Sequence, residues 1–292
     1  MPNRRSPLLR EPMSINTDTT PTEITCIRVG RHRIRVQTSG QGPPLLLLMG
    51  IGGNLEMWQP LGRHLTNRRL IAFDVPGSGG SSTPRTLLSM NSMARIADNV
   101  LEQLGVDRAD VLGISWGGVL AQTLAIWHPN RVNQLILAAT SCGLGSLPGK
   151  PNALWILATP KRYYSRAYLE RVAPTLYGGR IRREPEIFRQ QAAARLTRPP
   201  SILGYASQVF AIATTSTLPL GRCIKGPTLI ITGTEDPLVP SINSRLLHRI
   251  IPNSTLHVVP GGGHLCLLDS AEEIAPIIND FLNGRRAARH GP

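Results

Sequence analysis

The stretch Val111-Leu112-Gly113-Ile114-Ser115-Trp116-Gly117-Gly118 limits most strongly what this chain can fold into. It follows the apolar run from Ala109 and leads into Val119, Leu120, Thr123, Leu124 and Trp127 at helical spacing, which reads as a buried strand, a sharp turn and a helix. A Ser with Gly two positions away on each side fits such a turn, because side chains at 113 and 117 would collide with the neighbouring strand and helix. The turn lifts the Ser115 hydroxyl clear of the sheet. The competing reading is a Gly-rich turn with an N-cap serine.

The flanking sequence supplies the rest of a sheet. Glu23 to Val29 and His32 to Thr38 alternate around Gly30-Arg31 and predict an antiparallel hairpin at one edge. Leu45 to Met49 is continuously apolar, as a strand covered on both faces must be. A helix from Leu55 to Leu65, a strand from Arg69 to Asp74 and an amphipathic helix from Asn91 to Leu104 precede the Ser115 turn; a strand from Val132 to Ala139 follows. Strands alternating with helices give a mostly parallel α/β sheet with helices on both faces. The alternation stops at about Cys142 and resumes with a strand at Thr228 to Thr232, a helix at Ile242 to Ile250, a strand at Thr255 to Val259 and a helix at Ala271 to Phe281. Between them lie helical fragments near Trp155, Tyr164 to Val172, Glu186 to Leu196 and Ile202 to Ala213. The resulting division is a tail over 1–22, a core over 23–141 and 221–284, an inserted helical cap over 142–220, and a second tail over 285–292.

Composition bounds what this core can do. With 292 residues, 41% apolar and 17% charged, the chain can bury one large core. Its formal charge of +14 raises the question of nucleic acid, but no aromatic-interleaved or recognition-helix pattern accompanies the basic residues between 150 and 200. A solvated basic face, or one that docks on an anionic surface, is the expectation. Cys26, Cys142, Cys223 and Cys266 have neither disulfide-framework nor metal spacing and are expected to be reduced and mostly buried; no metal or cofactor is called for. No run approaches the ~20 apolar residues of a membrane span, and Met1 to Pro21 lacks the apolar core of a secretory signal. The expected location is the cytoplasm, with Met13 an alternative start.

A serine hydroxyl needs a base, and the base needs a carboxylate to fix its tautomer. In chain order Ser, acid, His, the strand ends offer Asp236, four residues beyond Thr232, and His264, after Gly261-Gly262-Gly263. Spacing alone does not reject Glu235. Asp269 reads as a helix cap, and His32, His64, His128, His248, His257 and His290 fall upstream, inside elements, at a helix end or in the tail. An oxyanion hole is expected from the backbone N–H groups of Trp116 and Ile51, the latter in Gly50-Ile51-Gly52-Gly53 after the first buried strand.

Over nearly all of residues 24 to 283 the chain resembles an α/β-hydrolase, and more narrowly the intracellular depolymerases of medium-chain-length poly(3-hydroxyalkanoate). The resemblance rests on Met49-Gly50-Ile51-Gly52-Gly53-Asn54-Leu55-Glu56, Ala72-Phe73-Asp74-Val75-Pro76-Gly77, Gly80-Ser81-Ser82-Thr83-Pro84-Arg85 and Gly113-Ile114-Ser115-Trp116-Gly117-Gly118. Within the insertion it rests on Pro148-Gly149-Lys150-Pro151, Pro160-Lys161-Arg162-Tyr163 and Ala173-Pro174-Thr175-Leu176-Tyr177-Gly178-Gly179. It implies a triad of Ser115, Asp236 and His264 cleaving 3-hydroxy fatty acid esters at a granule surface. The loop Pro260 to Gly263 is longer and more Gly-rich than the family pattern, which predicts a looser placement of His264. A soluble-ester carboxylesterase or lactonase would use the same triad, whereas a binding protein would not require it.

If the substrate is a polymer, the insertion is expected to form an apolar channel over Ser115. Trp155, Tyr163, Tyr177 and Phe210 are its expected substrate-binding residues, with Leu154, Ile156, Tyr164 and Phe188 as further lining. Lys161, Arg162, Arg166, Arg171, Arg180, Arg182 and Arg183 are expected to face outward.

Overall fold

A computed structural model describes residues 22–284. Expectations for the two tails, including a start at Met13, lie outside the described residues. Eight strands form one sheet: β1 (Glu23–Val29), β2 (His32–Ser39), β3 (Pro44–Leu48), β4 (Arg69–Phe73), β5 (Ala109–Ile114), β6 (Val132–Ala138), β7 (Thr228–Gly233) and β8 (Ser254–Val259). Their order is β1-β2-β4-β3-β5-β6-β7-β8. β1 pairs antiparallel with β2, and β2 with β4; every other pairing is parallel.

The helices are α1 (Gln59–Gly62), α2 (Met90–Gln103), α3 (Trp116–Trp127), α4 (Pro151–Leu157), α5 (Arg166–Tyr177), α6 (Gly179–Arg183), α7 (Pro185–Leu196), α8 (Ile202–Ala213), α9 (Ser241–Ile250), α10 (Cys266–Asp269) and α11 (Ala271–Leu282). The pleat divides the central strands between two cores. Leu46, Leu48 and Val111 pack with Met93, Ala97, Val119 and Leu120 of α2 and α3. Leu45, Leu47 and Leu112 pack on the other face with Leu61, Ile274 and Ile278 of α1 and α11.

The helix expected over Leu55 to Leu65 is a 3₁₀ turn, Leu55–Trp58, followed by the single turn α1. Pro60 removes a backbone donor there and Gly62 favours termination. Cys142 and Cys266 are buried, but Cys26 and Cys223 are exposed, so half of the thiols depart from the expected burial. Among the described residues, no helix is long and apolar enough to cross a membrane.

Between β6 and β7 the chain contributes α4 to α8 and a 3₁₀ turn at Pro160–Tyr163. These helices are fastened to the loops at the carboxyl ends of the strands. The Lys150 N–H donates to Pro237 O at 2.7 Å, and Tyr177 O accepts from the His264 N–H at 2.7 Å.

Candidate active site

Ser115 sits where β5 turns into α3, with φ 55° and ψ −121°. A non-Gly residue in that region carries roughly 1–3 kcal/mol of strain and persists only where its surroundings over-determine it. Here the Ser115 N–H donates to Ala138 O at 2.9 Å, and Ser115 O accepts from the Gly118 N–H at 2.9 Å and the Thr140 hydroxyl at 2.7 Å. A Cβ at Gly117 would lie 2.0 Å from Leu48 O, so the helix can start against β3 only because that position is glycine.

The fold brings Asp236 and His264 to this turn. His264 Nε2 lies 3.0 Å from Ser115 Oγ, and Nδ1 lies 2.8 Å from Asp236 Oδ2. A carboxylate only accepts, so Nδ1 carries the proton and Nε2 is left to accept from the serine hydroxyl. The other Asp236 oxygen accepts from the N–H groups of Leu238 and Val239 at 2.8 and 2.9 Å, which fixes the carboxylate's rotation. Both residues are buried.

Glu235 points away and pairs with Arg183 at 2.8 Å. The Gly-rich loop before His264 is close-packed, in contrast to the looser placement expected of it. A Cβ at Gly263 would meet Tyr177 O at 2.3 Å, and this close approach is what lets the His264 N–H reach that carbonyl. The Tyr177 ring stacks on the imidazole with 9° between planes and 6.5 Å between centroids.

The loop after β3 is held from two sides. Asp74, at the end of β4, accepts from the Leu55 N–H at 2.9 Å and the Gly80 N–H at 2.7 Å, and lies 3.3 Å from Arg35 Nη1. Burial pushes its carboxyl up to about 6 against those contacts. From the insertion, Gln208 Oε1 accepts from the Gly52 N–H at 2.8 Å, and the Tyr163 hydroxyl donates to Ile51 O at 2.6 Å. Burial pushes the Tyr163 phenol up to about 12, so it remains a donor. The Gly53 N–H donates to Gly50 O at 3.0 Å. The N–H groups of Gly52 and Gly53 are thus occupied, whereas among the described residues no acceptor is found for that of Ile51, nor for those of Gly50 and Asn54. Trp116 is the first residue of α3, whose N–H has no intrahelical acceptor.

A cavity of about 30 Å³ adjoins Ser115 and His264 and is also lined by Met49, Ile51, Tyr163, Tyr177, Arg162 and Arg195. That is room for a water or two. Tyr163 and Tyr177 line this cavity, but two other expectations need correction. Trp155 is 82% exposed and Phe210 38% exposed, and neither lines the cavity. Each is two residues from the inward position of its helix, Leu157 in α4 and Gln208 in α8, and two residues turn a helix through roughly 200°.

Of the further lining residues, Phe188 packs beneath Tyr177 with centroids 5.3 Å apart, Leu154 and Ile156 pack on the core, and Tyr164 is exposed. Arg162 is also corrected. Instead of facing solvent it is 1% exposed, donates to Tyr205 Oη at 2.8 Å and Thr159 O at 3.1 Å, and packs over the ring of Tyr163. Arg180 and Arg183 are half-exposed but engaged, with Asp269 O and with Glu235 and Gly261 O respectively. Lys161, Arg166, Arg171 and Arg182 are exposed.

Sequence reasoning did not single out Gln208, Asp74 or Arg195. For Gln208 the sequence carries no signal, since its partners Gly52 and Ser78 lie more than a hundred residues away; Asp74 stands in a segment quoted for the resemblance, but its partners Arg35, Leu55 and Gly80 come together only in the fold. Arg195 had one: Phe188, Ala192 and Arg195 share the i, i+4, i+7 stripe that buries α7.

Residues 43–271 match the family model described as the alpha/beta hydrolase fold. The chain belongs to the α/β-hydrolase family. It is 44% identical over 244 residues to the poly(3-hydroxyalkanoate) depolymerase of Ectopseudomonas oleovorans, covering 83% of this chain and 85% of that protein. It is 32% identical to the 2-hydroxymuconate semialdehyde hydrolase of Pseudomonas putida, over 86% of this chain and 91% of that one. Among solved structures, the enol-lactonase from Burkholderia xenovorans LB400 superposes with a TM-score of 0.77 at 23% identity, covering 89% of this chain and all of that one, a likeness of fold. Family and relatives together make this α/β-hydrolase an ester hydrolase.

Proposed function

We propose that the chain hydrolyses esters of medium-chain 3-hydroxyalkanoic acids, as polymer or oligomers, through an acyl-enzyme on Ser115. The observation that carries this reading is the continuous hydrogen-bonded line Asp236–His264–Ser115, at 2.8 and 3.0 Å, in a chain 44% identical to a poly(3-hydroxyalkanoate) depolymerase. As the Ser115 oxygen attacks the ester carbonyl, His264 Nε2 takes its proton, and Asp236 stabilises the imidazolium without itself being protonated. The N–H groups of Ile51 and Trp116 are the donors for the carbonyl oxygen as it becomes an oxyanion. When the carbon–oxygen bond breaks, His264 returns the proton to the leaving alkoxide. Water, deprotonated by the same base, then releases the acid.

Residues 142–220 act in this reading as a cap over a core of 23–141 and 221–284, which is supported by the bonds from Lys150, Tyr163, Tyr177 and Gln208 to the loops around Ser115. No metal or cofactor has a part. The proposed location is the cytoplasm, at or near storage granules.

A soluble-ester carboxylesterase or lactonase is the second reading, supported by 31% identity over 227 residues to the 3-oxoadipate enol-lactonase 2 of Acinetobacter baylyi. A panel of medium-chain polyester latex, short-chain polyester and p-nitrophenyl esters of increasing acyl length decides between them. Release of 3-hydroxy acids from the latex supports the polymer reading. Good turnover of short soluble esters with no release from latex replaces it with the second.

A further inference from the structure

Two arginines reach the cavity beside Ser115, and neither has a carboxylate partner. Arg195 and Arg162 are each 1% exposed and line the same small space as Ser115 and His264. Among the described residues neither makes an ion pair within 4 Å. Arg195 Nη1 donates to Gln191 O at 3.4 Å, a long bond, while Nε and Nη2 have no partner. These two nitrogens form one edge of the guanidinium, the edge that grips a carboxylate with two parallel hydrogen bonds. On Arg162, Nη1 is occupied by Thr159 O and Tyr205 Oη, and Nε is free.

Arginine cannot shed its proton to escape burial, so a buried guanidinium needs either compensating groups or a visiting anion. Aromatic faces supply part of the compensation. Arg195 lies 5.6 Å from the Tyr177 ring centroid and 4.9 Å from that of Phe188. They leave the donor edge unfilled, and Tyr177 also stacks on the His264 imidazole. Asp269, which feels Arg195 electrostatically, is spoken for by the Ser270 hydroxyl on one oxygen and is beyond ion-pair distance.

We infer that Arg195, assisted by Arg162, is a carboxylate-binding subsite, and that the preferred substrate is a hydroxyacid ester whose leaving group ends in a free carboxylate. The inference rests on the ester-hydrolase reading of Ser115 and narrows it to the carboxyl-terminal linkage of 3-hydroxyalkanoate oligomers. Attack of Ser115 on that linkage leaves the acyl group on serine, and the departing 3-hydroxy acid takes its alcohol proton from His264. Arg195 holds the carboxylate of that departing acid. A neutral ester offers the guanidinium edge a carbonyl oxygen but neither the negative charge nor the second equivalent oxygen of a carboxylate, and leaves the buried charge unpaired.

The test compares the ester-linked dimer of 3-hydroxyoctanoic acid with its methyl ester, following cleavage of the internal ester by chromatography, with p-nitrophenyl octanoate as a third substrate. The wild-type protein should cleave the free acid with kcat/KM at least about tenfold above that of the methyl ester. In Arg195→Gln that ratio should fall to about one, and Arg195→Lys should retain part of it. Calorimetric titration of Ser115→Ala with the free-acid dimer should show binding that Ser115→Ala/Arg195→Gln lacks. A wild-type ratio near one, or a ratio unchanged in Arg195→Gln, overturns the subsite while turnover of p-nitrophenyl octanoate upholds the ester hydrolase. Loss of turnover on all three substrates in wild type overturns both.

Discussion

Gln208 Oε1 accepts a hydrogen bond from the Gly52 N–H at 2.8 Å, which makes the conformation of the loop after β3 depend on a helix that the chain adds more than 150 residues later. The amide is fully buried; its Nε2 donates to Ser78 Oγ at 2.9 Å, and the backbone carbonyl of Gln208 accepts from Trp116 Nε1 at 2.9 Å. Gln208→Met keeps the volume but leaves the Gly52 N–H without an acceptor, freeing the loop to shift. A sub-ångström displacement of an oxyanion donor acts on the transition state more than on substrate binding. The expected result is a fall in kcat of about tenfold or more with a smaller change in KM, together with retained labelling of Ser115 by a phosphonate. Equal losses in both parameters would assign Gln208 to packing alone.

The two neighbouring acids, Asp236 and Glu235, should separate sharply. Asp236 meets His264 and two backbone donors in a buried setting, whereas Glu235 meets Arg183 at the surface. Asp236→Asn presents an amide to an imidazole held in one tautomer and should cost on the order of 10³-fold or more in kcat. Glu235→Gln loses only an exposed pair and should stay within about threefold. Ser115→Ala should abolish turnover and phosphonate labelling with the melting temperature retained. Steady-state kinetics on a p-nitrophenyl ester decide all three, and a larger loss in Glu235→Gln than in Asp236→Asn would reverse the assignment.

The architecture was legible wherever burial forces a local pattern. Leu45 to Leu48 read as a doubly covered strand because both faces do pack on helices, and the Gly-Ile-Ser-Trp-Gly stretch read as a turn because backbone crowding at Gly117 leaves no room for a side chain. What stayed hidden was set by the insertion. Its aromatic residues were assigned inward by type alone, while helical phase turns Trp155 and Phe210 out. Charge alone turns its basic residues outward, while Arg162 is among the largest fully buried side chains, as is Arg195, which the sequence left unassigned. Phase outranks composition in both cases. Helices of 7 to 12 residues with little amphipathic contrast give phase only weakly.

Asp74 links stability to pH. Its carboxyl is 1% exposed and its pKa stands raised from 3.8 to about 6, with burial the largest cause. A raised carboxylate binds its proton more tightly in the folded state, so its contribution is present below the ordinary value and is lost as pH rises through about 6. The shift corresponds to about 3 kcal/mol. Asp74→Asn lacks the titration, so the stability of wild type relative to the variant should decline by about that amount between pH 4 and pH 7. Urea unfolding across this range measures it, and a constant difference would mean that Arg35 and the two N–H donors outweigh burial.

Adsorption to a polyester should be separable from turnover. The cavity beside Ser115 is about 30 Å³, so a polymer chain cannot be threaded through it without movement of the overlying helices. The segments between β6 and β7 also expose Trp155 at 82%, Ile202 at 76% and Tyr164 at 53%, apolar side chains that an apolar polymer surface can meet. Arg182, in α6, is exposed and bears no ion pair among the described residues, whereas Arg183 braces the loop that carries Asp236. Charge reversal at Arg183 would thus disturb the site itself, and only Arg182 isolates surface charge. Trp155→Ala and Ile202→Ser should reduce the fraction of protein bound to medium-chain latex by severalfold while leaving kcat/KM on p-nitrophenyl octanoate within about twofold. Arg182→Glu should weaken binding only to latex with an anionic coat, and high salt should imitate it. If the apolar substitutions leave latex binding intact, these exposed side chains are not where the polymer is met.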